Sequence, residues 1–159
     1  MWARSIAPAT SGVYLRPRFF DEMQRRFNVT GDLARAYVVA HEVAHHVQTQ
    51  LGVTQRLAKL EKQDPAGVNA RSVRFEQQAD CLAGVWAHSG YQRGQITSRD
   101  VEDALHAAAV VGSDFQQKVA TGTVRPEEWT HGSSADRQRW LATGFEQGTP
   151  AACDTFASR

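Results

Sequence analysis

Two histidines with three residues between them are the first sign of chemistry in this chain. In His41-Glu42-Val43-Ala44-His45 a helix sets the imidazoles about one turn apart on one face. Both can then reach one ion at about 2.0–2.1 Å, the length of a zinc–imidazole bond. Glu42 falls beside that ion rather than on it, placed to take a proton from a water there. A catalytic zinc takes three protein ligands and keeps a fourth position open, so a third ligand has to come from another element. Glu76 and Asp80 in Arg74-Phe75-Glu76-Gln77-Gln78-Ala79-Asp80 lie four apart and share a helix face. That spacing predicts Glu76 as the third ligand. It predicts Asp80 as the acceptor for the free N–H of a ligand histidine, His41, fixing its tautomer. The competing reading of the pair is a solvated polar face.

Periodicity predicts the elements that must position these residues. Thr30 as N-cap, Asp32 in the first turn and Gly52 just past the end bound a long helix around the histidines. Its Leu33, Tyr37, Ala40, Ala44, Val47 and Leu51 step by four and three and form a core stripe. The two histidines fall beside that stripe. A second long helix, about Asn69 to His88 and closed by Gly90, carries Glu76 and Asp80 beside a stripe of Phe75, Ala79, Leu82 and Trp86. Between the two, a weaker helix covers Thr54 to Lys62, and Asp64-Pro65-Ala66-Gly67 breaks the chain. Upstream, Gly12-Val13-Tyr14-Leu15-Arg16-Pro17 reads as one short edge strand, able to line a cleft and pair with an extended peptide. A short helix follows from Asp21 to about Phe27. Downstream, Thr97 with Asp100 starts a helix running to about Ala120. A loop spans Arg125 to Ser134, a last helix about Ala135 to Gln147, and the tail from Gly148 is irregular. The expected class is mainly α, with a minimal edge strand or small sheet.

Composition bounds the rest. The chain has 159 residues, one domain by the usual range of roughly 100–200, with residues 1–11 expected to be loosely ordered. Eighteen basic and 17 acidic side chains give a net charge of +1, which argues against a dedicated nucleic-acid binder with its clustered basic face. No apolar run approaches the roughly 18 residues of a membrane span, and MWARSIAPATSG has no apolar signal core, so the chain is expected to be soluble. Two cysteines cannot build a disulfide framework or a four-thiolate zinc knot.

The run from His41 to Gln48, then Glu76 to Trp86, then Thr130 to Ala135, in that order, resembles the neutral zinc metallopeptidases of bacteria. Val13-Tyr14-Leu15 followed by Phe19-Phe20-Asp21-Glu22 is similar to that family's approach to its active-site helix. The resemblance covers about Gly12 to Phe156. It implies a zincin-like helical domain, one zinc ion per chain and a gluzincin-like site, in which two histidines and the glutamate of a Glu-x-x-x-Asp pair hold the metal. It further implies a metalloendopeptidase acting on a peptide or protein substrate in a bacterial cell-envelope or extracytoplasmic setting. Family members are usually longer, with a polar, membrane-anchoring N-terminal region. Ala7-Pro8 stands where a Cys-Pro is expected, which bears against a disulfide from that segment to Cys153, and Ala44 stands where glycine is common.

Other residues carry weaker signals. His131, in the loop Trp129-Thr130-His131-Gly132-Ser133, can lean into a cleft and donate to an oxyanion, or cap and pack locally beside a last helix whose N-cap is Ser133 or Ser134. Arg137 is an alternative charge donor. His46 points about 100° away from His45. His88 and His106 have no partners in sequence, and Trp86 and Trp140 read as core. Cys81 reads as a small buried residue rather than a nucleophile, and spacing leaves a Cys81–Cys153 bridge open. The main functional expectation is a peptidase with Glu42 as general base. The alternatives are a non-catalytic or latent zinc-binding domain with an interaction or regulatory role, and a zinc-free helical interaction module.

Overall fold

A computed structural model describes Val13 and residues 15–157. The described residues form seven α-helices and three short 3-10 turns, with no β-strand. The helices are α1 (Pro17–Phe27), α2 (Asp32–Gln50), α3 (Val53–Gln63), α4 (Val68–Gln92), α5 (Ser98–Val110), α6 (Ser113–Thr121) and α7 (Ser134–Gln147). The class is mainly α, and the edge strand is a correction. Val13, Leu15 and Arg16 are exposed and belong to no strand, and the Arg16 carbonyl accepts from the Phe19 N–H at the start of α1 instead. Pro17 stands at the first turn of α1, where a missing N–H costs nothing, so α1 begins four residues earlier than Asp21. Gly12, Tyr14 and the segment 1–11 lie outside the described residues.

Four helices make the frame. α4 packs most extensively on α7, α2 lies across α4 and α5, and α5 also meets α7. The α4–α7 contact brings backbone against backbone. A β-carbon on Gly84 would collide with the carbonyl of Leu141, and one on Gly144 with the carbonyl of Cys81. The core between α1, α2, α4, α5 and α7 holds Met23, Leu33, Tyr37, Val38, Ala83, Ala104, Ala108 and Leu141. A smaller cluster gathers Trp140 around the Cys81–Cys153 disulfide, which ties the turn Pro150–Cys153 to α4.

Several sequence expectations shift. The helix expected over 97–120 is two, broken at Val111-Gly112, where Gly112 is extended and a β-carbon on it would collide with Ser134. Gly90 is inside α4 rather than past its end, and the Ile96 side chain fills the space beside it. The N-cap of α2 is Gly31, with φ of +97°, not Thr30. Trp86 is 44% exposed and is not core, whereas Trp140 is buried. On α2, the buried face passes through Leu33, Tyr37, Val38, His41, Ala44, His45 and Gln48. The histidines therefore sit on the buried face, not beside it, and Val47 and Leu51 turn outward. No helix among the described residues is long and apolar enough to cross a membrane.

Candidate metal centre

The seam between α2 and α4 collects the groups that the motifs singled out. His41 and His45, one turn apart on α2, meet with ring centroids 4.6 Å apart and near-perpendicular planes. Glu76 reaches across from α4. Its Oε2 lies 3.1 Å from Nε2 of His41 and its Oε1 lies 3.4 Å from Nε2 of His45. One ligating atom from each of the three residues falls within 4.8 Å of the other two. Phe75 stacks on the His45 ring at 4.8 Å and limits its rotation.

The far sides of both rings are engaged. Nδ1 of His41 lies 2.8 Å from Oδ1 of Asp80, a side chain with no exposed surface. The same carboxylate receives two hydrogen bonds from Arg137 on α7, at 2.9 and 2.8 Å, and one from the Tyr37 hydroxyl at 2.7 Å. Arg137 is therefore committed to Asp80, with its Nη2 also 4.0 Å from Oε2 of Glu76. Nδ1 of His45 lies 2.7 Å from the side-chain oxygen of Gln48. Both Nδ1 atoms thus face acceptors on the outer side, and both Nε2 atoms turn towards Glu76, to which they donate while no metal is bound. This set, two imidazoles and a carboxylate converging on one point, fits a zinc ion, which would displace the Nε2 protons on binding.

Electrostatics follow from burial and pairing. Burial would lower the pKa of His41, but the Asp80 and Glu76 carboxylates outweigh it and raise it to about 9 in the metal-free protein. Burial works to raise Glu76, yet hydrogen bonds and charge from both histidines hold it well below the carboxylate range. Burial opposes ionisation of Asp80 as well, and Arg137 and His41 overcome it and hold Asp80 low. Burial raises Tyr37 well above the usual phenol value, so it stays a donor.

Glu42 is half-buried, and no hydrogen bond or ion pair holds its carboxylate among the described residues. His131 is carried by the loop before α7. Its N–H donates to the Ser113 hydroxyl at 3.2 Å, the Thr130 carbonyl accepts from Ser72 of α4 at 3.0 Å, and Nδ1 of His131 lies 3.0 Å from the Thr130 hydroxyl. Burial lowers the pKa of His131, and the Glu76 charge acts in the opposite direction. His88 bonds the Phe145 carbonyl and His106 the Phe27 carbonyl, both away from the seam. The sequence reading passed over Tyr37 and Gln48 as site residues. Tyr37 precedes His41 by four and Gln48 follows His45 by three, so helical spacing alone would have found them.

The profile of the family described as "Putative neutral zinc metallopeptidase" matches residues 5–156. Curated relatives include the uncharacterized protein YpfJ of Escherichia coli (strain K12), 45% identical over 150 residues, which cover 94% of this chain and 52% of that protein. The uncharacterized protein Rv2575 of Mycobacterium tuberculosis is 41% identical over 162 residues, covering 95% of this chain and 54% of that one. The chain spans about half the length of these relatives. No solved structure matches it. With the match running through all three motifs and both walls of the seam, the chain belongs to this bacterial zinc metallopeptidase family.

Proposed function

We propose that the domain is a zinc-dependent endopeptidase, with His41, His45 and Glu76 as metal ligands and Glu42 as general base. The observation that carries this reading is the opposed engagement of the two imidazoles. Each gives its Nδ1 proton to a buried acceptor and turns its Nε2 towards the same carboxylate. Zinc in this position would supply Lewis acidity, lowering the pKa of water towards about 7 and polarising a carbonyl oxygen. Glu42, about 100° around the helix from His41, takes the proton of the attacking water and returns it to the leaving amine. His131 supplies a hydrogen bond to the oxyanion. That role needs the His131 proton on Nε2, with Nδ1 accepting from the Thr130 hydroxyl 3.0 Å away. Asp80 holds His41 in register, and Arg137 and Tyr37 keep Asp80 ionised and fixed.

The rival reading is a domain that holds zinc without turnover, in an interaction or regulatory role. The two separate on one experiment. Zinc-loaded protein is incubated with a peptide library beside Glu42→Gln. A peptidase cleaves, and Glu42→Gln keeps its zinc while losing about 10²–10⁴-fold in kcat/KM. Zinc uptake by the unsubstituted chain with no cleavage of any peptide overturns the enzymatic reading, and so does full activity in Glu42→Gln.

A further inference from the structure

The acceptor that holds His45 belongs to a chain of side-chain amides whose direction has only one solution. The Gln48 side chain is 1% exposed, so its amide must be satisfied within the protein. Its Nε2 lies 2.9 Å from the carbonyl of Phe75 and 3.0 Å from Oε1 of Gln78. Nε2 of Gln78 in turn lies 3.1 Å from the carbonyl of Cys153. Both ends of this chain are backbone carbonyls, which only accept. Gln78 must therefore point its nitrogen at Cys153 and its oxygen at Gln48. Gln48 must point its nitrogen at Gln78 and Phe75, which leaves its oxygen for His45. An oxygen accepts, so Nδ1 of His45 has to carry a proton at 2.7 Å, and Nε2 is left as the metal-facing atom. Flipping either amide would set two oxygens against each other at hydrogen-bond distance. The two imidazoles are thus secured differently: His41 by an ionised carboxylate held by Arg137, His45 by a neutral relay that ends in the turn bridged to α4 by the disulfide.

We propose that Gln48 and Gln78 are positioning residues. Together they lock His45 in the Nδ1–H tautomer and set the metal affinity of the site. This rests on the zinc reading above, but the tautomer is testable without metal.

The experiment compares the unsubstituted chain with Gln48→Met, Gln78→Met and the double variant. Methionine keeps the length of the side chain and removes the amide. Zinc affinity is read by chelator competition and ligand geometry by the visible spectrum of the cobalt-substituted protein. In metal-free protein, the proton on His45 is read by imidazole nitrogen NMR. Gln48→Met is expected to weaken zinc binding by roughly 10–100-fold, as loss of a ligand's outer partner does, and to abolish the slowly exchanging Nδ1–H signal of His45. Gln78→Met is expected to weaken binding less, with an effect that vanishes in the Gln48→Met background, because the two act in series. An His45 proton on Nε2 rather than Nδ1 in the unsubstituted chain overturns the proposal without any variant having to fold. So does an unchanged zinc affinity in Gln48→Met, or a Gln78→Met effect of equal size in both backgrounds. A chain that takes up no zinc, yet loses the Nδ1–H signal on Gln48→Met, refutes the metal reading and leaves the relay standing.

Discussion

Asp80 accepts from three partners in a fully buried position, and its charge is supported chiefly by Arg137. Removing one member of a buried pair leaves the other uncompensated, which costs about 3–5 kcal/mol. Arg137→Met should lower the unfolding free energy by that amount in urea titration. Arg137→Lys should recover only part of it, because an ammonium cannot reproduce the two-pronged contact. His41 gives a second test at this scale. Its pKa in the metal-free fold is about 9, above its ordinary 6.5, so between those values the folded state binds more protons than the unfolded one. Its contribution to stability is fully present below about pH 6.5 and is lost as the pH rises through about 9. Thermal melts of chelator-treated protein across that window should show the midpoint falling as the pH rises. Zinc requires the neutral ring, so loaded protein should show the opposite trend.

At the scale of elements, the α4–α7 contact depends on two glycines facing carbonyls of the opposing helix. Backbone cannot swing aside as a side chain can. Gly144→Ala should cost about 1–3 kcal/mol by overpacking, read as a lowered melting midpoint with the helical circular dichroism unchanged. Much of the element map was legible beforehand. The helix around His41 and His45, the one carrying Glu76 and Asp80, the capping box at Thr97 and Asp100, and the last helix all announced themselves by periodicity and caps. The errors have a common cause. Apolar periodicity locates a buried face only while that face is apolar, and on α2 it turns polar at His41, His45 and Gln48. The stripe read through Val47 and Leu51 therefore followed hydrophobicity out to the surface, where Leu51 is 70% exposed. At Gly112 and Gly90 the neighbours that crowd the backbone, Ser134 and Ile96, come from outside the helices concerned, which no local pattern contains. The pairing of Arg137 with Asp80 spans 57 residues and was invisible for the same reason.

On the scale of the whole molecule, the Cys81–Cys153 bridge closes a loop of sequence separation 72. Restricting the unfolded chain in this way is worth about 4 kcal/mol on a loop-entropy estimate. The paired substitution Cys81→Ala, Cys153→Ala should lower stability by about that much in denaturant titration and speed hydrogen exchange through the turn Pro150–Cys153. The backbone contact between α4 and α7, the Arg137–Asp80 link across it and this bridge to the C-terminal turn make one stiff block. α2 meets that block at the seam through His41, His45, Tyr37 and Gln48. Across that seam two imidazoles confront a carboxylate. An ion lodged there would work as a rivet between α2 and α4, so metal loading would add to mechanical cohesion.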